Sequence, residues 1–331
     1  MKLLIRLIVL ALLAAPLHAF AQSRMLAVND IEESSVKGQS FVLLKKLITE
    51  KLGGKMQVTI SNGEALYNQN SLVQAEQLGA IQIMAPGIGL FTGTFPKLTV
   101  LGLPYLLPAP EAIRAAVADP DIGGVLFADM RAKGLEPLDI WLNGPRDVGR
   151  TGDKPVLMPE DMKGLKIRVA PGGVYVDTFR QVGANVTTMS WGSVPTALRQ
   201  GVIDAVEPTP NAWTSSHLYE IAKQITKTQH IWDFYIVTAN RAWWTGLPAP
   251  TRQAIRDAMD EATKWNWENT NAENDRAFDV MRKAGATIYE LTPEQSRAWA
   301  TAMMPLWEKV GNPLIGAEAM KKLIAIGDKY R

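Results

Sequence analysis

The chain has 331 residues, with 35 Lys and Arg, 33 Asp and Glu, three His and no Cys. The absence of cysteine excludes disulfides, thiolate nucleophiles and Cys-ligated metals. Taking away Lys2 and Arg6 with the N-terminal leader described next leaves 33 bases against 33 acids, a balance that offers no footprint for nucleic acid.

The opening residues, MKLLIRLIVLALLAAPLHAFAQ, place Lys2 and Arg6 before an apolar run from Leu7 to Ala15 and end on Ala19 and Ala21. This pattern predicts a signal peptide over 1–21, cleaved after Ala21, and hence export. The run is shorter than the roughly 20 residues of a membrane span, and no later stretch is long and apolar enough to be one. About 310 residues remain, enough for two cores, so a two-domain chain is expected.

Met25–Val28 reads as a strand. Phe41, Leu44, Ile48 and Leu52 then recur at helical spacing and Gly53-Gly54 ends the helix. Strand Met56–Ile60, a helix over about Ser71–Leu78 and strand Ile81–Ala85 continue the alternation, which implies parallel pairing through helical crossovers. After the apolar segment Leu98–Leu107 come two helices and a strand ending near Trp141. Asn143-Gly144-Pro145 then breaks the pattern and marks a domain crossing.

A second α/β unit follows, with strands at Lys166–Val169, Val186–Met189 and Ile203–Val206 separated by helices. Of two further extended runs, Gln224–Gln229 and Trp232–Ala239, one is expected to return to the first domain. From Pro250 to Ala284 no Gly or Pro interrupts a period of about 3.6 residues, which predicts one helix long enough to cross between the domains. Thr292-Pro293-Glu294-Gln295 signals the start of another helix, carrying Trp299 and Trp307. The expected organisation is therefore lobe I over 22–144, lobe II over 145–232, a return strand within 233–249, the long helix over 250–284 and C-terminal helices over 285–331. Together these make a two-lobed α/β protein with a cleft between the lobes, joined by hinge strands.

Groups for catalysis are sparse. Beyond the leader the only histidines are His217 and His230, in no metal-binding spacing, and neither a GxSxG elbow nor a GxxxxGK[ST] loop occurs. Gly87 and Gly89 read as a tight turn rather than a dinucleotide loop. A binding protein without cofactor or metal is expected, and not an enzyme. In KGLKIRVAPGG, Lys163 to Gly173, Arg168 falls near the C-terminal end of a strand, where open α/β sheets bind ligands and where a guanidinium can grip a carboxylate with two parallel hydrogen bonds. On that pattern alone a solvated surface arginine is the favoured reading, because arginines are mostly exposed.

The stretch from Pro159 to Glu207, PEDMKGLKIRVAPGGVYVDTFRQVGANVTTMSWGSVPTALRQGVIDAVE, resembles the core of the solute receptors of tripartite ATP-independent periplasmic (TRAP) transporters. The shared features are the Lys-Gly-x-Lys-x-Arg strand, the Gly-Ala-x-x-Thr turn and the Ala-Leu-Arg-x-Gly-x-x-Asp helix exit followed by Glu. The resemblance extends to Leu103-Pro104-Tyr105 and the long late helix. It implies a monomeric periplasmic receptor that binds a small carboxylate through Arg168 and delivers it to a small and a large membrane subunit for ion-driven uptake. A sensory receptor feeding a membrane kinase shares these features, and an enzyme acting on organic acids is a further alternative.

By the same resemblance Arg146 assists Arg168, and Trp191 stands against the ligand. Glu207 either bonds a ligand hydroxyl or holds Arg168, while Ser35 and the Pro86-Gly87 loop face the cleft from lobe I. The sequence departs from the family's usual pattern at Gln82, Ser193, Pro195, Ala205 and Pro208, which leaves the ligand's far end open. Asn211 and Trp213 are candidates to line it, and Trp141, Trp191, Trp213 and Trp232 would suit an apolar or aromatic tail.

Overall fold

A computed structural model describes residues 23–331; the signal peptide expected over 1–21 lies outside them. In chain order the strands are β1 (Ser23–Val28), β2 (Met56–Ser61), β3 (Ile83–Met84), β4 (Leu135–Pro145), β5 (Val148–Arg150), β6 (Lys166–Val169), β7 (Asn185–Thr188), β8 (Ala205–Val206), β9 (Gln224–Lys227), β10 (Trp232–Asn240) and β11 (Thr287–Glu290). They form two sheets, ordered β2-β1-β3-β10-β4 and β11-β9-β5-β8-β6-β7. The architecture is the two-lobed α/β fold that the alternation predicted.

In lobe I, β1 runs parallel to β2 and to β3, which requires crossover connections. The first crossover is the helix Val36–Lys51. Ser35 caps it by accepting a 3.0 Å hydrogen bond from the Gly38 N–H, and Phe41, Leu44 and Ile48 bury its inner face. Gly53 and Gly54 take positive φ just beyond its end, as a helix stop needs. In lobe II, β6 is parallel to β7 and β8, whereas β5 is antiparallel to β8 and β9.

Three features differ from the sequence reading. Asn143-Gly144-Pro145 does not end β4, which continues to Pro145 opposite Trp232 of β10; the chain crosses to the second sheet only between Pro145 and Val148. The stretch 233–249 is strand only as far as Asn240, whose side chain then caps the short helix Arg241–Gly246. The segment 285–331, read as helical, opens with β11, which pairs in parallel with β9 at the edge of the second sheet. Four residues between two long helical patterns carry too little periodicity to stand out.

The long helix is Ala249–Lys283, and its 35 residues reach about 52 Å. It packs on the Val36–Lys51 helix and β4 in lobe I, and on the helix Pro210–Ser215 and β11 in lobe II. Its inner face is apolar at Ile255, Met259 and Ala262 and again at Ala277, Phe278 and Met281, but polar between, at Asn266, Thr270 and Asn274. The polar stripe serves the free edge of β4. The Leu142 N–H donates to Asn266 Oδ1 at 2.6 Å, Thr270 Oγ1 donates to the Leu142 carbonyl at 3.3 Å, and Asn274 Nδ2 donates to the Asn143 carbonyl at 3.1 Å. A buried strand edge needs such partners. Gly144, at φ 116°, permits the approach, because a Cβ there would lie 2.1 Å from Asn274 Nδ2.

The remaining chain returns across the molecule. Thr292 and Gln295 form a reciprocal cap on the helix Pro293–Met303. The indole N–H groups of buried Trp299 and Trp307 donate to the Leu157 and Pro104 carbonyls at 3.1 and 2.8 Å. No helix among the described residues is long and apolar enough to cross a membrane.

Candidate functional site: a cleft with one unpaired guanidinium

A half-enclosed cleft of about 50 Å³ lies between the sheets and draws its walls from both. Asp30, Lys37, Gln69, Gly87 and Tyr235 come from lobe I; Arg168, Tyr175, Trp191 and Thr209 come from lobe II; Asn143, Arg146 and Asp233 sit by the strands that connect them.

Arg168 projects from β6 and is 2% exposed. Its Nε and Nη2 donate to the Met189 carbonyl at 3.0 and 2.6 Å, and Nη2 also donates to Gln69 Oε1 at 3.2 Å. The guanidinium carbon is 5.4 Å from the centre of the Trp191 ring. These contacts hold the group but bring no negative charge: no Asp or Glu among the described residues forms an ion pair with it. Burial pushes its pKa down to about 10, against the charges of Glu207 and Glu64, which still leaves it charged at neutral pH.

Arg146 is in the opposite state. Nε and Nη2 clasp both oxygens of Glu207, the second at 2.7 Å, while Nη1 donates to Asp233 Oδ2 at 2.7 Å. Its guanidinium also lies 4.7 Å from the centre of the Tyr175 ring, and the Tyr175 hydroxyl donates to Asp233 Oδ1 at 3.1 Å. Burial opposes the charge on Arg146, yet Glu207 and Asp233 raise its pKa well above the ordinary arginine value. Glu207 is likewise buried, and the charge of Arg146 with hydrogen bonds from His230 and Arg146 holds its carboxyl down at about 2. His230, 3.4 Å from Glu207, is lowered by burial.

On the lobe I wall, Lys37 is 1% exposed and pairs with Asp30; it also donates to the Ala85 carbonyl at 3.3 Å and sits 4.1 Å over the Tyr235 ring. Gln69 then links the lobes. Its Nε2 donates to Asp30 Oδ2 at 2.7 Å, and its Oε1 accepts from Arg168 and from the Trp191 N–H at 3.2 Å. Around the rim, Glu64 accepts from the Gly192 N–H at 3.1 Å and Glu32 accepts from Ser216 Oγ at 2.7 Å. At the other side Gly89 of lobe I meets Tyr175 of lobe II so closely that a Cβ on Gly89 would lie 2.1 Å from the ring. The two lobes are thus drawn together over the cleft.

Of the residues singled out from sequence, Arg168, Arg146, Trp191 and Gly87 line the cleft together. Glu207 stands behind Arg146 and makes no hydrogen bond to Arg168, which it meets only through its charge. Ser35, Asn211 and Trp213 do not line the cleft. Ser35 is the cap described above, Asn211 donates to the Asn143 carbonyl and to Asn274, and Trp213 is a core residue packed against Gly149. Sequence reasoning missed Lys37, Asp30, Gln69, Tyr175 and Asp233. The strand-end rule that picked out Arg168 would have flagged Asp30 had it been applied to β1.

Comparison with known proteins converges on one group. The sequence pattern of "Bacterial extracellular solute-binding protein, family 7" matches residues 28–313. The C4-dicarboxylate-binding periplasmic protein DctP of Vibrio cholerae is 31% identical over 298 residues, 88% of this chain and 87% of that protein. The fold is similar to a TRAP periplasmic solute-binding protein of Shewanella oneidensis with bound succinate, at TM-score 0.88 and 26% identity, covering 93% of this chain and 100% of that one. It is also similar to one from Chromohalobacter salexigens with bound D-glucuronate, at TM-score 0.84 and 25% identity, covering 92% and 99%. These are binding proteins rather than enzymes.

Proposed function

Because this chain belongs to family 7 of the bacterial extracellular solute-binding proteins, we propose that it is the periplasmic receptor of a TRAP transporter and captures a small organic acid by a salt bridge from Arg168. The acid enters between separated lobes and is enclosed when they close about the strand crossings and the long helix. The closed form is then the one that a small and a large membrane subunit recognise for ion-driven uptake.

One observation carries the reading: the buried guanidinium of Arg168 lines the cleft and forms no ion pair with a carboxylate among the described residues. A buried charge is costly unless it is paired, so the closed cleft favours an anion that supplies the missing partner. Met189, on the same lobe, holds the guanidinium in place before ligand arrives, which spares side-chain ordering on binding. The relatives' ligands, succinate and glucuronate, are both carboxylates.

Calorimetry with a bound acid tests this. Removing one partner of a buried charge pair typically costs about 2 to 5 kcal/mol, so Arg168→Ala is expected to weaken binding by more than about tenfold. Arg168→Lys should also be impaired, because the two-pronged geometry is lost. Binding by Arg168→Ala as tight as the parent's would refute the assignment.

A further inference from the structure

Three buried or nearly buried cations line the cleft: Lys37, Arg146 and Arg168. Two are already matched. The Lys37 ammonium already contacts three protein groups, namely Asp30, the Ala85 carbonyl and the Tyr235 ring face. Arg146 is shared between Glu207 and Asp233, one more carboxylate than its charge requires. Among the described residues the three cations therefore face three carboxylates, Asp30, Glu207 and Asp233, and the cation without an ion-pair partner is Arg168.

We infer that the cleft selects a monocarboxylate whose far end carries hydroxyl groups, and discriminates against a second carboxylate. This rests on Arg168 binding the acid. A second carboxylate placed away from Arg168 would meet Asp30 or Asp233, with no free cation among the described residues of the cleft to offset the repulsion and the lost hydration. A hydroxyl meets the same surface favourably. Asp30 and Asp233 accept hydrogen bonds, and Thr209 and Asn143 add a hydroxyl and an amide that already bond each other at 2.9 Å. The relative named for C4-dicarboxylates is 31% identical, a distance at which the charges around a ligand's far end are free to differ.

Matched pairs of acids, titrated by calorimetry at one pH and salt concentration, test the inference: 4-hydroxybutyrate against succinate, 3-hydroxybutyrate against L-malate, and D-galactonate against galactarate. In every pair that binds, the monoacid is expected to bind at least about tenfold tighter. Asp30→Asn keeps the shape and the Gln69 contact but frees the charge of Lys37, so it should shift the ratio at least about tenfold toward the diacid. Equal affinities, or a diacid preferred by the parent protein, would overturn the inference. If Arg168→Ala still weakened that diacid, the organic-acid reading itself would stand. An unchanged ratio in folded Asp30→Asn would also overturn it, and should that variant not fold, the parent ratio decides. Failure of all six acids to bind would overturn this inference and the organic-acid reading together.

Discussion

The two arginines of the cleft share burial and differ in company. Arg146, at the crossing between the sheets, is saturated by Glu207 and Asp233, and its neighbour Tyr175 is tied to the same aspartate. Arg168, at the end of β6, is held only by a carbonyl and an amide. The first arrangement joins the strands that cross between the sheets; the second leaves the guanidinium without an ion-pair partner among the described residues. A buried arginine by itself thus says little about binding, and what separates a structural one from a receptive one is whether its charge is already answered.

Opposite consequences on mutation give the sharpest break of this contrast. Arg146→Ala leaves Glu207 and Asp233 buried without a cation, and breaking a buried pair in this way costs about 3 to 5 kcal/mol. Its denaturant midpoint should fall far below the parent's. Arg168→Ala removes a charge with no carboxylate to strand, so its midpoint should stay within about 1 kcal/mol of the parent's while affinity collapses. Equal loss of stability in both variants would erase the distinction.

Acid and base extend the contrast along the crossing. Glu207 is held at about 2, below its ordinary 4.5, so the stability it contributes is present above pH 4.5 and is lost as pH falls through that window. Asp147, two residues from β4, behaves in reverse. It is buried, accepts from the Gln229 N–H at 3.1 Å through Oδ1, and among the described residues has no partner at Oδ2. Burial raises it to about 8. Between pH 4 and pH 8 the unfolded chain releases this proton while the folded one keeps it, so stability falls with rising pH by on the order of 1.4 kcal/mol per unit. Urea midpoints of the parent should decline from pH 5 to pH 7, and those of Asp147→Asn should decline less. Parallel curves would contradict the assignment.

The smallest effect concerns closure. Gly89→Ala puts a methyl against Tyr175 of the opposite lobe, a contact that exists only when the lobes meet. Affinity should drop by about tenfold, while the ligand-free midpoint moves by no more than about 0.5 kcal/mol. A variant that binds as the parent does would show that this contact does not limit closure.

The lobes and Arg168 were legible because their signals are local. Phe41, Leu44 and Ile48 announce a helix face, and Lys163–Gly173 announces a strand that ends beside a glycine turn. The partner of Arg146 was not legible, because Glu207 and Asp233 lie 61 and 87 residues further along the chain and meet it only when β5, β8 and β10 assemble. Lys37 was missed for another reason: a lysine in the first turn of a helix reads as solvated, and only the fold turns it inward onto Asp30. Trp213 misled because an aromatic near a cleft suits either ligand or core, and the bare backbone of Gly149 decides for the core.

A crystal structure of the protein with a bound monocarboxylate tests the central claim most directly. Both carboxylate oxygens should lie within hydrogen-bond reach of the Arg168 guanidinium, with Arg146 still clasped by Glu207 and Asp233. An acid seated on Arg146 with those carboxylates displaced, or seated away from both arginines, would contradict it.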